Sequence, residues 1–192
     1  MELLHINADY PEKELIYYVA KEVREGRILI YPTDTVYGLG CSINARDSIK
    51  KIFEIKKRSL TNPLSVAFPD LEMVKGFTHL SSEEKEFIKK HIDDPVTFIV
   101  KKRGISEVIT AGRDTVGIRI PNHRVVKELL HIAKIPIITT SANISGNKAP
   151  AKVDEIDEEM KDSVDIILDS GPCRLGSPSK VIDLSTGKIL RK

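Results

Sequence analysis

Arg27-Ile28-Leu29-Ile30-Tyr31-Pro32-Thr33-Asp34-Thr35-Val36-Tyr37-Gly38-Leu39-Gly40 is a strand followed at once by a polar, glycine-bearing loop. Ile28 to Ile30 form the centre of a short buried strand over Arg27–Tyr31. Two hydroxyls, one carboxylate and two glycines come directly after it. On the N-terminal side, residues 11–25 read as a helix. Pro11 suits its first turn, Leu15, Ile16, Val19 and Val23 share one face, and Gly26 is placed to stop it. On the C-terminal side, residues 46–57 read as a second helix, with Ile49, Ile52, Phe53 and Lys56 at helical spacing. Helix, buried strand, loop, helix is the grammar of an α/β domain.

The same alternation runs to the end. Strands are expected over 64–68, 97–101, 116–120, 136–140, 164–168, 180–184 and 189–191. Helices are expected from the Ser81/Glu84 capping box to about Ile92, over 124–133 and over the acidic stretch 153–160. These elements predict one mixed-sheet α/β domain over residues 1–192, with antiparallel pairs in the sheet.

Composition narrows the function. The chain has 192 residues, is 41% hydrophobic and 30% charged, and carries a net charge of +2. This balance is globular and excludes a uniformly basic, DNA-coating surface, though not a local basic site. Aromatics are 5% and Trp is absent, which argues against a broad base-stacking platform. Cys41 and Cys173 form no CxxC pair, and the five histidines show no HExxH or similar ligand spacing, so no metal site is expected. No GxSxG elbow supplies a nucleophile. The N-terminus is unlike a signal peptide and no apolar run reaches membrane-spanning length, so a cytoplasmic setting is expected.

Polar residues collect at strand ends, where α/β proteins place ligands. Residues 31–40 fit either a turn whose hydroxyls satisfy the backbone or a ligand loop. Lys56-Lys57-Arg58, at a helix end before Asn62-Pro63-Leu64, fits either a solvated basic terminus or a polyphosphate site. Lys56 and Arg58 can serve one site only if the helix ends there. Arg119 lies in the strand Val116–Ile120 and requires a partner or an anionic ligand. Thr139-Thr140-Ser141-Ala142-Asn143 again follows an apolar strand, and its small hydroxyls and amide suit either a cap or an anion.

In order, these clusters closely resemble the YrdC family of threonylcarbamoyl-adenylate synthases. The matching stretches are 32–40, Lys56-Lys57-Arg58 with Asn62-Pro63-Leu64, Thr115-Val116-Gly117-Ile118-Arg119-Ile120-Pro121, Ser141-Ala142-Asn143 and Ser177-Pro178-Ser179. The resemblance implies a twisted mixed sheet with helices around a concave basic cavity. It implies that L-threonine, bicarbonate or CO2, and ATP give threonylcarbamoyl-AMP and pyrophosphate. Downstream proteins would use that product to modify a tRNA adenosine. Carried over by position, Lys56 and Arg58 are the catalytic basic pair on the ATP phosphates. Thr35, Arg119, Thr139 and Ser179 hold threonine. Asn62, Thr115, Ser141, Asn143 and Arg191 serve the nucleotide. Mg2+ would arrive on the phosphates. The chain is expected to be the short form, without the C-terminal domain of longer relatives.

Several positions depart from the family pattern. Asp34 replaces a more usual Glu, Ala67 a His, and Asp93–Thr97 a Trp-Pro-Gly-Pro-x-Thr stretch. Lys180 replaces a Thr and is expected to add a cation near the pocket. The rival reading is an RNA-binding module using the same basic cavity, which would bind with a steep salt dependence.

Overall fold

A computed structural model describes residues 1–191. In chain order the elements are β1 (Glu2–His5), α1 (Lys13–Arg24), β2 (Leu29–Tyr31), β3 (Gly38–Gly40), α2 (Arg46–Ile55), β4 (Ser65–Ala67), α3 (Leu71–Phe77), β5 (Thr78–His79) and α4 (Ser82–Lys90). They continue as β6 (Val96–Lys102), α5 (Glu107–Thr110), β7 (Thr115–Arg119), α6 (Arg124–Ala133), β8 (Ile137–Ser141), a 3-10 turn (Val153–Glu155), α7 (Glu158–Asp162), β9 (Ile166–Asp169), β10 (Lys180–Asp183) and β11 (Lys188–Arg191).

The strands form one sheet in the order β1-β9-β2-β3-β8-β4-β7-β6-β10-β11, with β5 added beside β6. β9 runs parallel to β1 and β2, β7 to β4, and β10 to β6. The pairs β2–β3, β3–β8, β4–β8, β6–β7 and β10–β11 are antiparallel. The mixed sheet is the one the sequence predicts.

Side-chain alternation splits this sheet into two faces of different fate. Ile30, Leu39, Val66, Phe98, Val116, Ile118 and Ile138 point to one face and join Ile49, Ile52 and Phe53 of α2 in the larger core cluster. Leu29, Tyr31, Ala67 and Ile137 point to the other and pack under α1 and α6. Those two helices cover only part of that second face. Beyond them the same-parity residues Ser65, Thr97, Gly117 and Thr139 are left to line a cavity.

Local reading located most elements, and its misses have physical causes. β1 is an edge strand whose residues are largely exposed, so it carries no buried period; its pairing with β9 fixes it. β3 is Gly-Leu-Gly, a poor strand by propensity, held between β2 and β8. The expected helix over 153–160 is broken: a 3-10 turn ends at Glu155 and α7 restarts behind Asp157, whose carboxylate accepts from the Met160 amide. The Ser81/Glu84 capping box is present as read.

Candidate functional site: a basic cavity on the uncovered face of the sheet

The cavity has a volume of ≈ 290 Å³. That is near the lower end for small-molecule sites, roughly 300–1,000 Å³. β7 runs through its wall, with Thr115, Gly117 and Arg119 facing in while Val116 and Ile118 face the core. The loop after β2 supplies Thr33 and Thr35, the end of β8 supplies Thr139, Thr140 and Ser141, and Ser179 and Arg191 close the far side. Four arginines line the cavity, Arg58, Arg113, Arg119 and Arg191, and no carboxylate residue does so among the described residues.

At the deep end Arg119 is 8% exposed and its Nη2 donates to Asp34 Oδ1 at 2.7 Å, with Asp34 itself 2% exposed. The strand arginine therefore has the partner its burial demands, and it still lines the cavity. Asp34, which the resemblance marks as a departure from Glu, makes this pair. Thr35 lies beside it, its hydroxyl 2.9 Å from that of Thr33, which donates to the Val36 carbonyl.

Tyr31 reaches the cavity floor from β2 by crossing β3. Its hydroxyl donates to Thr139 Oγ1 at 2.8 Å, and burial pushes its pKa up to about 12. The crossing explains two glycines. A Cβ on Gly38 would stand 2.8 Å from the Tyr31 ring, and one on Gly40 would fall 1.9 Å from the Ile138 carbonyl oxygen. Gly38 also lines the cavity, but the space both residues leave is filled by the protein's own ring and backbone.

The basic pair is placed by the end of α2. Lys57 adopts a left-handed φ of 49°, and the amides of Lys57 and Arg58 bond back to Glu54 and Phe53. This is a Schellman-type stop, the helix end that the sequence reading required. The two side chains then part. Arg58 enters the cavity wall, with Nε and Nη2 donating to the carbonyls of Asn62 (3.2 Å) and Pro63 (2.9 Å). Lys56 is 2% exposed, and its Nζ donates to the carbonyls of Ser141 (2.5 Å) and Asn143 (2.7 Å). Burial, with Arg58's charge next, pushes its pKa down to about 7.

Of the residues singled out from sequence, Thr35, Arg58, Thr115, Arg119, Thr139, Ser141, Ser179 and Arg191 line one cavity. Lys56, Asn62 and Asn143 are outside that lining, Lys56 buried and Asn62 exposed. Asn143 accepts from the Ser141 hydroxyl at 2.5 Å and donates to the carbonyls of Ile144 and Asn147, so it ties the loop after β8. Asn62 gives Arg58 a carbonyl. Ser179 is fixed by Thr97, whose hydroxyl is 2.9 Å away, and by Arg191, which donates to its carbonyl and hydroxyl at 2.8 and 3.2 Å. Thr97 is the last residue of the altered 93–97 stretch, and it keeps its place in the wall.

Lys180 does not add the expected cation. It alternates with Ser179 and Val181, which line the cavity, and is itself exposed outside the lining. Arg113 was missed: it precedes its strand, and the signal that finds it is the period of two through 113, 115, 117 and 119. Among the described residues no group of His, Cys, Asp and Glu is arranged to hold a metal ion, and no helix is long and apolar enough to cross a membrane.

Fold and site together define an α/β domain that gathers dispersed arginines and small hydroxyls over one half-open sheet face, built to hold an anionic small molecule. Residues 21–192 match the Sua5/YciO/YrdC family model, described as "Telomere recombination", and the chain belongs to that family. A relative from Methanocaldococcus jannaschii is 35% identical over 93% of this chain and 84% of its own length. A threonylcarbamoyl-AMP synthase from Pyrococcus abyssi is 35% identical over 91% of this chain, which spans only 52% of that relative. The crystal structure of Pyrococcus abyssi Sua5 complexed with L-threonine superposes with a TM-score of 0.90 at 33% identity, covering 96% of this chain and 55% of that one.

Proposed function

We propose that the protein is a threonylcarbamoyl-AMP synthase. L-Threonine and CO2, from bicarbonate, combine to an N-carboxylate; its oxygen attacks the α-phosphorus of ATP, and pyrophosphate leaves. The observation that carries the reading is a cavity lined, among the described residues, by four arginines and no carboxylate residue. Such a wall favours a bound polyanion and stabilises charge as it moves onto the leaving group. The relatives named for this activity and the L-threonine complex of Pyrococcus abyssi Sua5 support it.

In this reading Arg119, held by Asp34, presents its remaining N–H groups to the threonine carboxylate. Thr35, Thr139 and Ser179 surround the amino acid. Arg58, Thr115, Ser141 and Arg191 take the nucleotide. Lys56 acts one step back, holding the Ser141 and Asn143 carbonyls so that the loop after β8 keeps its shape. No protein nucleophile is required, because catalysis here is positioning and charge neutralisation. Magnesium would enter on the ATP phosphates and add positive charge there. The product would pass to proteins that modify tRNA.

The test is pyrophosphate release from ATP by the purified protein, dependent on both threonine and bicarbonate. Release that requires all three substrates is expected, and Arg58→Ala should lower kcat/KM by about 100-fold, the loss of a charged transition-state contact. Tight RNA binding with no saturable binding of ATP or threonine would overturn the reading and favour the RNA-binding module.

A further inference from the structure

We propose that Arg113 grips the terminal phosphates of the nucleotide, a role that rests on the reading above and adds a residue to it. Arg58, Arg119 and Arg191 all spend N–H groups on acceptors within the protein. Arg113 also lines the cavity, yet among the described residues its guanidinium takes part in no hydrogen bond or ion pair, and the residue is exposed. It is the cavity arginine whose five donors are all unspent.

Its position is built. α5 ends with Ala111 at φ 52° and Gly112 at φ 75°, the Gly112 amide bonding back to the Glu107 carbonyl at 3.1 Å. This double left-handed turn delivers the chain into β7, and Arg113 faces the same side as Thr115, Gly117 and Arg119. One edge of the cavity is therefore a row running from the buried Arg119–Asp34 pair to the exposed Arg113. The strand part of that row, Thr115 to Arg119, spans about 13 Å, with Arg113 just before it.

The chemistry assigns an end to each substrate. In-line displacement at the α-phosphorus sets the leaving pyrophosphate opposite the attacking oxygen. With the amino-acid carboxylate at Arg119, the attack comes from the buried end, and the β- and γ-phosphates point outward along β7 toward Arg113. An exposed guanidinium at the mouth can hold two phosphates and let them go to solvent.

Calorimetric titrations of wild type, Arg113→Ala and Arg113→Lys with ATP, AMP and inorganic pyrophosphate, each with magnesium, test this. The alanine variant should bind ATP and pyrophosphate about tenfold more weakly, the loss of one charged contact near the surface, and bind AMP within about twofold of wild type. The lysine variant should fall between, since it keeps charge without the planar fork. Equal loss for ATP and AMP, or no loss for pyrophosphate, would overturn the proposal while leaving the synthase reading intact. Failure of wild type to bind ATP or pyrophosphate would overturn both. Far-UV circular dichroism should match wild type, because the side chain has no partner among the described residues to lose.

Discussion

The floor and the rim of the cavity both carry arginine and treat it oppositely. On the floor, polar groups are matched to one another: Arg119 to Asp34, Tyr31 to Thr139, Thr97 to Ser179. At the rim, Arg58 and Arg191 rest on carbonyls and Arg113 on nothing among the described residues. A buried polar group without a partner is costly, so the floor satisfies itself and thereby becomes rigid. Half-buried Arg58 and exposed Arg113 and Arg191 carry less of that cost, so the rim can leave some of its donors for a ligand. Floor substitutions should therefore act on stability, and rim substitutions on binding.

The sharpest way to break that contrast is Asp34→Ala. It leaves Arg119 charged, buried and unpaired, which should cost about 3–5 kcal/mol in urea unfolding. The double variant Asp34→Ala/Arg119→Met should recover much of the loss, because the stranded charge is gone. If the single variant unfolds with a wild-type midpoint, the Asp34–Arg119 pair does not hold the floor together.

Gly40→Ala should come next, at about 1–3 kcal/mol or more. The new methyl meets the backbone oxygen of Ile138, which cannot swing aside as a side chain would. Gly38→Ala pushes instead on the Tyr31 ring and should loosen the Tyr31–Thr139 bond, read as a fall in threonine affinity alongside lost stability.

These glycines mark how far the sequence could be read. Periodicity placed α1, α2 and α6 and the buried strands, because one-sided burial is written locally in apolar spacing. The cavity's cationic character was legible in its dispersed arginines, though Arg113 was not picked out. What side chains do after the chain closes was not legible. Gly38 and Gly40 look like a ligand loop until Tyr31 is seen crossing them. Lys56 and Arg58 look like a pair until one turns behind the wall to Ser141, 85 positions away. Nothing local distinguishes a lysine that faces phosphate from one that faces two carbonyls.

Lys56 offers a test confined to part of the pH range. Its folded pKa, about 7, lies below the ordinary lysine value near 10.5, so burial penalises the protonated form. Below pH 7 both folded and unfolded states carry the proton and the full penalty applies. As pH rises from 7 toward 10.5 the folded state releases the proton first, and stability rises. The slope is bounded by one proton, about 1.4 kcal/mol per pH unit. Urea midpoints of wild type should climb over this window relative to Lys56→Met; parallel pH profiles would argue that the ammonium stays charged against its two carbonyls.

The smallest structural effect belongs to Arg191→Ala, and it is the most telling about the rim. The side chain lies on an edge strand whose residues are all exposed, and its two bonds go to Ser179. Losing these half-buried bonds should cost about 1 kcal/mol, the order of a typical hydrogen bond. Thr97 still holds the Ser179 hydroxyl from the other side, so the floor stays assembled. ATP binding should nonetheless weaken about tenfold, because the rim loses one of its cations. The two numbers must be taken on one preparation. A variant that loses stability while keeping ATP affinity would make Arg191 a fastener for Ser179, and would move it from rim to floor.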